Sequence, residues 1–179
     1  MNAPNRSTHN KRIRAPLTHV GGHVPWAWVA LVASHAELTR AMNAKLVSAH
    51  GLTLNDYEVL LHLSWAPGGR LRRGELAQRV RLTAGGITQL LKELEHERLV
   101  TSAPDPTDRR AVQASLTEAG WRRLAEAART HVANVEAMFT AHFSRQELAN
   151  LGELLGRLFG TPPAAGRGGW AAPPSPRLV

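Results

Sequence analysis

The chain has 179 residues, of which 43% are hydrophobic, with a formal net charge of +8 and no cysteine. This composition predicts one sizeable core with loose ends, and the missing thiols exclude disulfides, thiolate zinc sites and thiol redox sensing. There is neither an apolar run of roughly 18 residues nor the apolar centre of a signal peptide, so we expect a soluble cytoplasmic protein.

Positive charge is concentrated in particular segments. Residues 1–22 carry four bases and no acid and predict a flexible basic arm, whereas the Pro- and Gly-rich residues 160–179 predict a disordered tail. Residues 70–92 carry six bases against Glu75 alone. This segment favours an anionic partner, and the alternative is a solvated arginine-rich surface.

The first two predicted helices lie between residues 25 and 67. Pro25 suits a first helical turn and Gly51 a helix end. Thr53 followed by Asp56 is a capping-box pattern, so a second helix begins there and stops before Pro67. The inward positions of these helices are Leu31, His35, Leu38, Met42, Leu46, Ala49, Tyr57, Leu60, Leu61 and Ser64.

A short helix at about Arg73 to Val80 and a fourth helix capped by Thr83 follow, joined by a tight turn. The pair matches a helix-turn-helix, whose second helix lies in the major groove of DNA and needs small or polar residues at its exposed N-terminus. The alternative is an ordinary helical hairpin. The predicted inward residues are Leu76, Ala77, Val80, Ile87, Leu90, Leu91 and Leu94, and the predicted DNA-facing ones are Arg73, Thr83, Ala84, Gly85, Thr88, Gln89 and Lys92.

The period then changes to that of a strand, and residues 112–116 alternate apolar with polar side chains, which predicts a β-hairpin. Arg109 and Arg110 at its tip bury nothing, so we expect them to enter the minor groove of DNA, with Asp108 holding one guanidinium. The prolines and Asp105 shape the turn. In the alternative interpretation, Asp108 and the arginines only stabilise the hairpin.

Two longer helices complete the pattern. Thr117 caps the fifth helix, and the capping box Ser144 to Glu147 begins the last one, which ends at Gly160. Their inward positions are Trp121, Leu124, Ala128, Val132, Val135 and Phe139 in the fifth helix, and Leu148, Leu151, Leu155, Leu158 and Phe159 in the last.

From about Trp28 to Phe159 the chain resembles the MarR family of winged helix-turn-helix transcription regulators. The resemblance rests on the wing signature "DPTDRRAVQASLTEAG" and on "LAQRVRLTAGGITQLLKELEHERLV". It implies a mainly α fold with a small β-hairpin wing (α+β), in homodimers whose first and last two helices interlock and which read pseudo-palindromic double-stranded DNA. A monomer would leave the apolar stripes of these helices exposed.

The implied organisation is an arm, a regulator domain and a tail. The ranges are 1–22 for the arm, 23–159 for the domain, with a DNA-binding lobe at 53–117 and dimerisation helices at 25–50 and 118–159, and 160–179 for the tail. The implied function is a homodimeric repressor, nucleoid-associated when bound to DNA and released by a small aromatic or phenolic ligand. The alternative is a winged-helix protein-interaction module without specific DNA binding. No phosphate-cradling loop, zinc-protease helix or nucleophile elbow suggests an enzyme.

The recognition helix departs from the family at one position that matters. Members often have arginine where Gln89 stands, and Ser or Lys where Gly85 and Ala84 stand. Glutamine pairs bidentately with adenine whereas arginine favours guanine, so we expect an adenine-containing half-site.

Small aromatic acids or phenols bind between the dimerisation helices and the DNA-binding lobe in the family. The alternative for aromatic residues at helical spacing is core or dimer interface. No cofactor or metal is predicted, because the fifth helix lacks the His-x-x-x-His pair that would suit a zinc site. The candidate ligand residues are Trp28, His35, Tyr57, Glu58, His62 and Trp65.

Overall fold

The computed structural model describes residues 22–108 and 110–159. The elements in chain order are α1 (His23–His50), α2 (Leu54–Trp65), a 3-10 turn (Pro67–Gly69), β1 (Arg70–Arg72), α3 (Arg73–Arg79), α4 (Ala84–His96), β2 (Val100–Pro104), β3 (Val112–Leu116), α5 (Glu118–Thr140) and α6 (Arg145–Phe159). The chain divides into two compact units at Thr39 and Arg40. The N-terminal part of α1 belongs to the first unit, and its last residues belong with all later elements to the second.

The predicted mainly α architecture with a small sheet is confirmed. The core of the second unit is built around α2, in which Val59, Leu60 and Leu63 are completely buried. The inward faces predicted for α2, α3 and α4 are confirmed, because every one of their predicted inward residues is buried. Burying these aliphatic side chains stabilises the second unit by the hydrophobic effect.

Helix boundaries follow the capping residues. Thr53 and Asp56 form the predicted capping box, in which Asp56 N donates to Thr53 Oγ1 at 3.1 Å and Thr53 N donates to Asp56 Oδ2 at 2.8 Å. Gly51 ends α1 with a left-handed φ of 69°, a conformation that costs glycine little. At the other end, α1 begins at His23 rather than at Pro25. Proline is tolerated in a first turn because the N–H groups there have no partner within the helix.

The sheet has one strand more than the predicted hairpin. Its antiparallel order is β1-β3-β2, and Ala114 of β3 lies opposite Leu71 on one side and Ser102 on the other. Leu71 and Ala114 are buried, so the third strand closes the sheet over the core. The sequence does not predict β1, because a strand of three residues, "RLR", is too short to show the alternation typical of a strand.

The expectation that α6 buries its leucines is wrong for the single chain. Leu148 and Leu151 are half-buried, whereas Leu155 is 37% exposed and Leu158 is 60% exposed. Leu154 on the same helix is 56% exposed. The side chain of Phe159 lies outside the description.

The apolar stripe of α1 is also incompletely buried. Met42 and Leu46 lie in the core, but His35 and Ala49 are exposed. On α5, Leu124 and Ala128 are buried while Val132 is exposed. Within the described residues, no helix is long and apolar enough to cross a membrane.

Candidate nucleic-acid interface

The turn between α3 and α4 is short and tightly bonded. Leu82 N donates to Ala77 O at 2.9 Å, and Arg81 takes up a left-handed φ of 56° to make the turn. Thr83 then caps α4, its Oγ1 accepting a hydrogen bond from Gly86 N at 3.1 Å, as the sequence predicts. The result is a helix-turn-helix in which Ile87, among other apolar residues, anchors α4 to the core.

The first turn of α4 presents mostly backbone. Thr83, Ala84 and Gly85 are exposed, and a Cβ added at Gly85 would have no atom within 4 Å. With so little side chain in the way, another molecule can approach the main chain at the positive end of the helix dipole.

Further along the same helix, two polar side chains are already engaged. Thr88 is half-buried, and its Oγ1 donates to Ala84 O at 2.6 Å. Gln89 is exposed, and its Nε2 donates to Glu93 Oε1 at 2.8 Å. Lys92 is exposed beside them. The predicted recognition residues are thus brought together along α4.

The wing is organised around the buried carboxylate of Asp105, which is only 2% exposed. Its Oδ2 accepts from Arg72 Nε at 2.6 Å and from Gln113 Nε2 at 2.7 Å. Its Oδ1 accepts from Thr107 N at 2.7 Å, from Thr107 Oγ1 at 2.6 Å and from Asp108 N at 3.1 Å. These donors, Arg72 first and Thr107 next, hold the pKa of Asp105 well below its usual range.

Sequence reasoning assigned Asp105 to the turn but missed its partners. Thr107 carried a local signal, since an aspartate commonly accepts hydrogen bonds from residues two positions on. Arg72 carried no such signal, because it lies 33 residues away in the chain. Arg72 Nη2 also donates to Thr107 Oγ1 at 3.0 Å, so one guanidinium binds two residues of the wing turn.

The tip of the hairpin is closed by Asp108. Its Oδ1 accepts from Arg110 N at 3.0 Å, and its carbonyl accepts from Ala111 N at 2.9 Å. Arg110 is exposed, as expected for a residue that buries nothing. Arg109 lies outside the described residues, so its position and its pairing with Asp108 stay predictions.

Positive charge surrounds these elements. Within residues 70–81, Arg70 and Arg73 are exposed. The side chain of Arg72 is also 42% exposed, although it is bound to Asp105. Arg79 and Arg81 are exposed as well. A surface of this sign attracts polyanions.

The candidate ligand residues do not form one group. Trp28 and His35 are exposed on the part of α1 in the first unit. Tyr57 lies in the core of the second unit with its ring centroid 4.7 Å from that of His131, and burial raises its pKa to about 12. Tyr57 is therefore not accessible to a ligand without movement of the core.

Glu58, His62 and Trp65 share the outer face of α2. The His62 and Trp65 rings meet edge to face with centroids 5.7 Å apart. Partial burial raises the pKa of Glu58 and lowers that of His62, and the charge of Arg79 lowers the latter further. Across residues 22–108 and 110–159, no three His, Cys, Asp or Glu side chains are grouped as metal ligands.

An exposed recognition-type helix followed by an anchored hairpin defines a winged helix-turn-helix protein. Residues 50–111 match the model of the MarR family. The chain is 30% identical in sequence to AbsC, a MarR family transcriptional regulator from Streptomyces coelicolor. The match to the AbsC crystal structure covers 75% of this chain and 90% of that one, with a TM-score of 0.67. The chain therefore belongs to the MarR family of transcriptional regulators.

Two further relatives agree. Sco3205, a MarR family regulator from Streptomyces coelicolor solved in complex with DNA, is 25% identical over 75% of this chain and 84% of that chain, with a TM-score of 0.68. The HTH-type transcriptional regulator MhqR from Bacillus subtilis (strain 168) is 28% identical over 131 residues, or 73% of this chain and 88% of the relative. All three relatives are transcriptional regulators.

Proposed function

We propose that this protein is a sequence-specific regulator that binds double-stranded DNA with α4 in the major groove and the wing in the adjacent minor groove. The observation that carries the proposal is the anchoring of the wing turn to the helix-turn-helix by Arg72 and Asp105. This contact ties the turn that contains Arg110, which is exposed, to the residue immediately before α3. The complex of the relative Sco3205 with DNA supports the same partner here.

In this proposal the contacts divide into two kinds. Arg73, Lys92 and Arg110 neutralise phosphates or enter the minor groove, and they supply most of the affinity. Gln89 reads a base edge, with adenine as the expected partner. The bare first turn at Gly85 allows the backbone to approach phosphate closely.

We further propose that the working form is a homodimer. Leu154, Leu155 and Leu158 form an exposed apolar stripe along α6, and Phe143 at the preceding turn is also exposed. Exposing an apolar stripe of this kind to water is unfavourable in free energy unless a second chain covers it. A dimer would present two α4 helices to a pseudo-palindromic site. Replacing Leu155 and Leu158 with glutamate should yield monomers in light scattering.

Regulation by a small aromatic or phenolic ligand is the remaining part of the proposal, with repression relieved on binding. Its support is the half-buried face of Glu58 and His62 beside the exposed Trp65 ring on α2. A ring can stack on Trp65, and the charge of Arg79 would favour an acid. A screen for phenols and aromatic acids that release DNA, repeated with Trp65→Ala, tests this part.

Titration of the protein against its own upstream intergenic DNA and against random DNA tests the DNA-binding function. At about 150 mM salt, we expect at least a hundredfold preference for the specific duplex. Arg110→Ala should reduce that affinity about tenfold, since a groove-inserted arginine contributes roughly 1 to 3 kcal/mol. Absence of binding to any DNA at low salt would favour the protein-interaction module instead.

A further inference from the structure

Glu93 lies one helical turn after Gln89 on the exposed face of α4 and accepts a hydrogen bond from its side chain. The distance from Gln89 Nε2 to Glu93 Oε1 is 2.8 Å, and both residues are exposed. An ionised carboxylate has no proton to donate, so only the NH₂ end of the amide can face it. The contact therefore decides which way round the Gln89 amide is held.

This orientation changes what the amide can offer to a base. One N–H is engaged by Glu93, which leaves one N–H donor and the carbonyl Oε1 as acceptor. Adenine shows a matching pair in the major groove, the N7 acceptor and the N6 donor, whereas guanine shows two acceptors, N7 and O6. A freely turning amide can point its NH₂ group at guanine and its Oε1 away, whereas an amide held by a carboxylate places Oε1 against one of the two guanine acceptors.

We propose that Glu93 is a specificity-determining residue that acts through Gln89, by holding the amide in the orientation that pairs with adenine and disfavours guanine. Glu93 is a positioning residue, because it need not touch the base. The inference rests on the proposed function, in which α4 lies in the major groove. It explains why a carboxylate stands on a helix face where negative charge opposes binding to phosphates.

This role predicts two opposite effects of removing Glu93, namely a rise in DNA affinity and a fall in base preference. Glu93→Ala removes a negative charge from the face that approaches DNA, so overall DNA affinity should rise. It also frees the Gln89 amide, so the preference for adenine over guanine should fall. A side chain that only stabilised the helix would leave the base preference unchanged when removed, since an exposed contact at this spacing adds little to stability.

The test measures binding of the full-length protein to two duplexes that differ at the base pair read by Gln89, one with A·T and one with G·C. We expect the wild type to prefer A·T about tenfold, and Glu93→Ala to prefer it no more than about threefold. Glu97→Ala is the matched control, because it removes the same charge from the end of α4 without touching Gln89. It should keep the wild-type preference.

The double variant Gln89→Ala/Glu93→Ala shows whether Glu93 acts through the amide. Its base preference should equal that of Gln89→Ala alone. An unchanged adenine preference in Glu93→Ala overturns the inference, and so does a site at which Gln89→Ala alters no base preference. A wild-type protein without any sequence preference would contradict the proposed function itself, so the two failures are distinguishable.

Discussion

Arg72 Nε lies 2.6 Å from Asp105 Oδ2, which joins the start of the helix-turn-helix to the turn of the wing. Arg72 ends β1 and immediately precedes α3, and its backbone N–H donates to Glu75 Oε2 at 3.3 Å. The same residue thus caps the first helix of the helix-turn-helix and contacts the wing turn. The two parts of the proposed interface are held in one geometry by a buried carboxylate.

Loss of this contact should weaken DNA binding without unfolding the helices. Asp105→Asn keeps the shape of the side chain but removes the charge that holds Arg72, so the wing turn loosens. We expect DNA affinity to fall about tenfold, as when a wing contact is lost. Fluorescence anisotropy with operator DNA measures the affinity, and circular dichroism measures helix content.

Arg122→Ala is the control for this experiment. Arg122 pairs with Glu118 on the exposed surface of α5, where ion pairs contribute little. Its removal should leave DNA affinity unchanged. If Asp105→Asn bound DNA as tightly as this control, the wing would not depend on the buried carboxylate.

A methyl group at Gly120 should destabilise the fold. A Cβ built there would lie 2.0 Å from Leu99 O, which is too close for any real contact. We expect Gly120→Ala to cost about 3 kcal/mol of unfolding free energy, the upper end of the range for overpacking. Urea denaturation measures the loss. Gly74→Ala is the matched control, since its Cβ would meet nothing within 4 Å and stability should hardly change.

Stability should fall as the pH drops through the ordinary titration range of histidine. Burial lowers the pKa of His131, which packs on Tyr57. Below about pH 6.5 the unfolded chain binds a proton at this position that the folded chain resists, so stability decreases with falling pH. His131→Gln should reduce the slope of unfolding free energy against pH between pH 7.5 and 5.5. An equal slope in both proteins would contradict the assignment to His131.

Two arginines in left-handed backbone conformations should respond differently to glycine. Arg81 has φ 56° and Arg98 has φ 59°, a region in which glycine is unstrained. We expect either substitution to raise the unfolding free energy by up to about 1 kcal/mol. Only Arg81→Gly should weaken DNA binding, lowering the salt slope by about one, because Arg81 lies in the turn between α3 and α4. Equal salt slopes would show that Arg81 makes no phosphate contact.

The sequence predicts those elements whose boundaries depend on residues close together in the chain. Thr53, Thr83 and Thr117 cap helices where the sequence places them, because a capping hydrogen bond spans only a few residues. β1 could not be predicted in this way, since its three residues become a strand only by pairing with β3.

In the candidate site, too, some features follow from the local sequence and others depend on the fold. The exposed face of α4 follows from helical periodicity, so Gln89 and Lys92 were predicted to face outwards, and both are exposed. The partnership of Arg72 with Asp105 depends on the fold, because the two residues are 33 positions apart and no local pattern marks the pair. The exposed leucines of α6 show a further limit, since periodicity predicts an apolar face but not which chain covers it.

Selection of binding sites from a random duplex library by the purified protein tests the central claim most directly. If α4 and the wing of a dimer read DNA, repeated selection should enrich a pseudo-palindrome whose half-site contains adenine at a fixed position. The Asp105→Asn protein should enrich the same sequence less efficiently. A wild-type protein that enriched no sequence from the library would contradict the claim that this chain reads DNA.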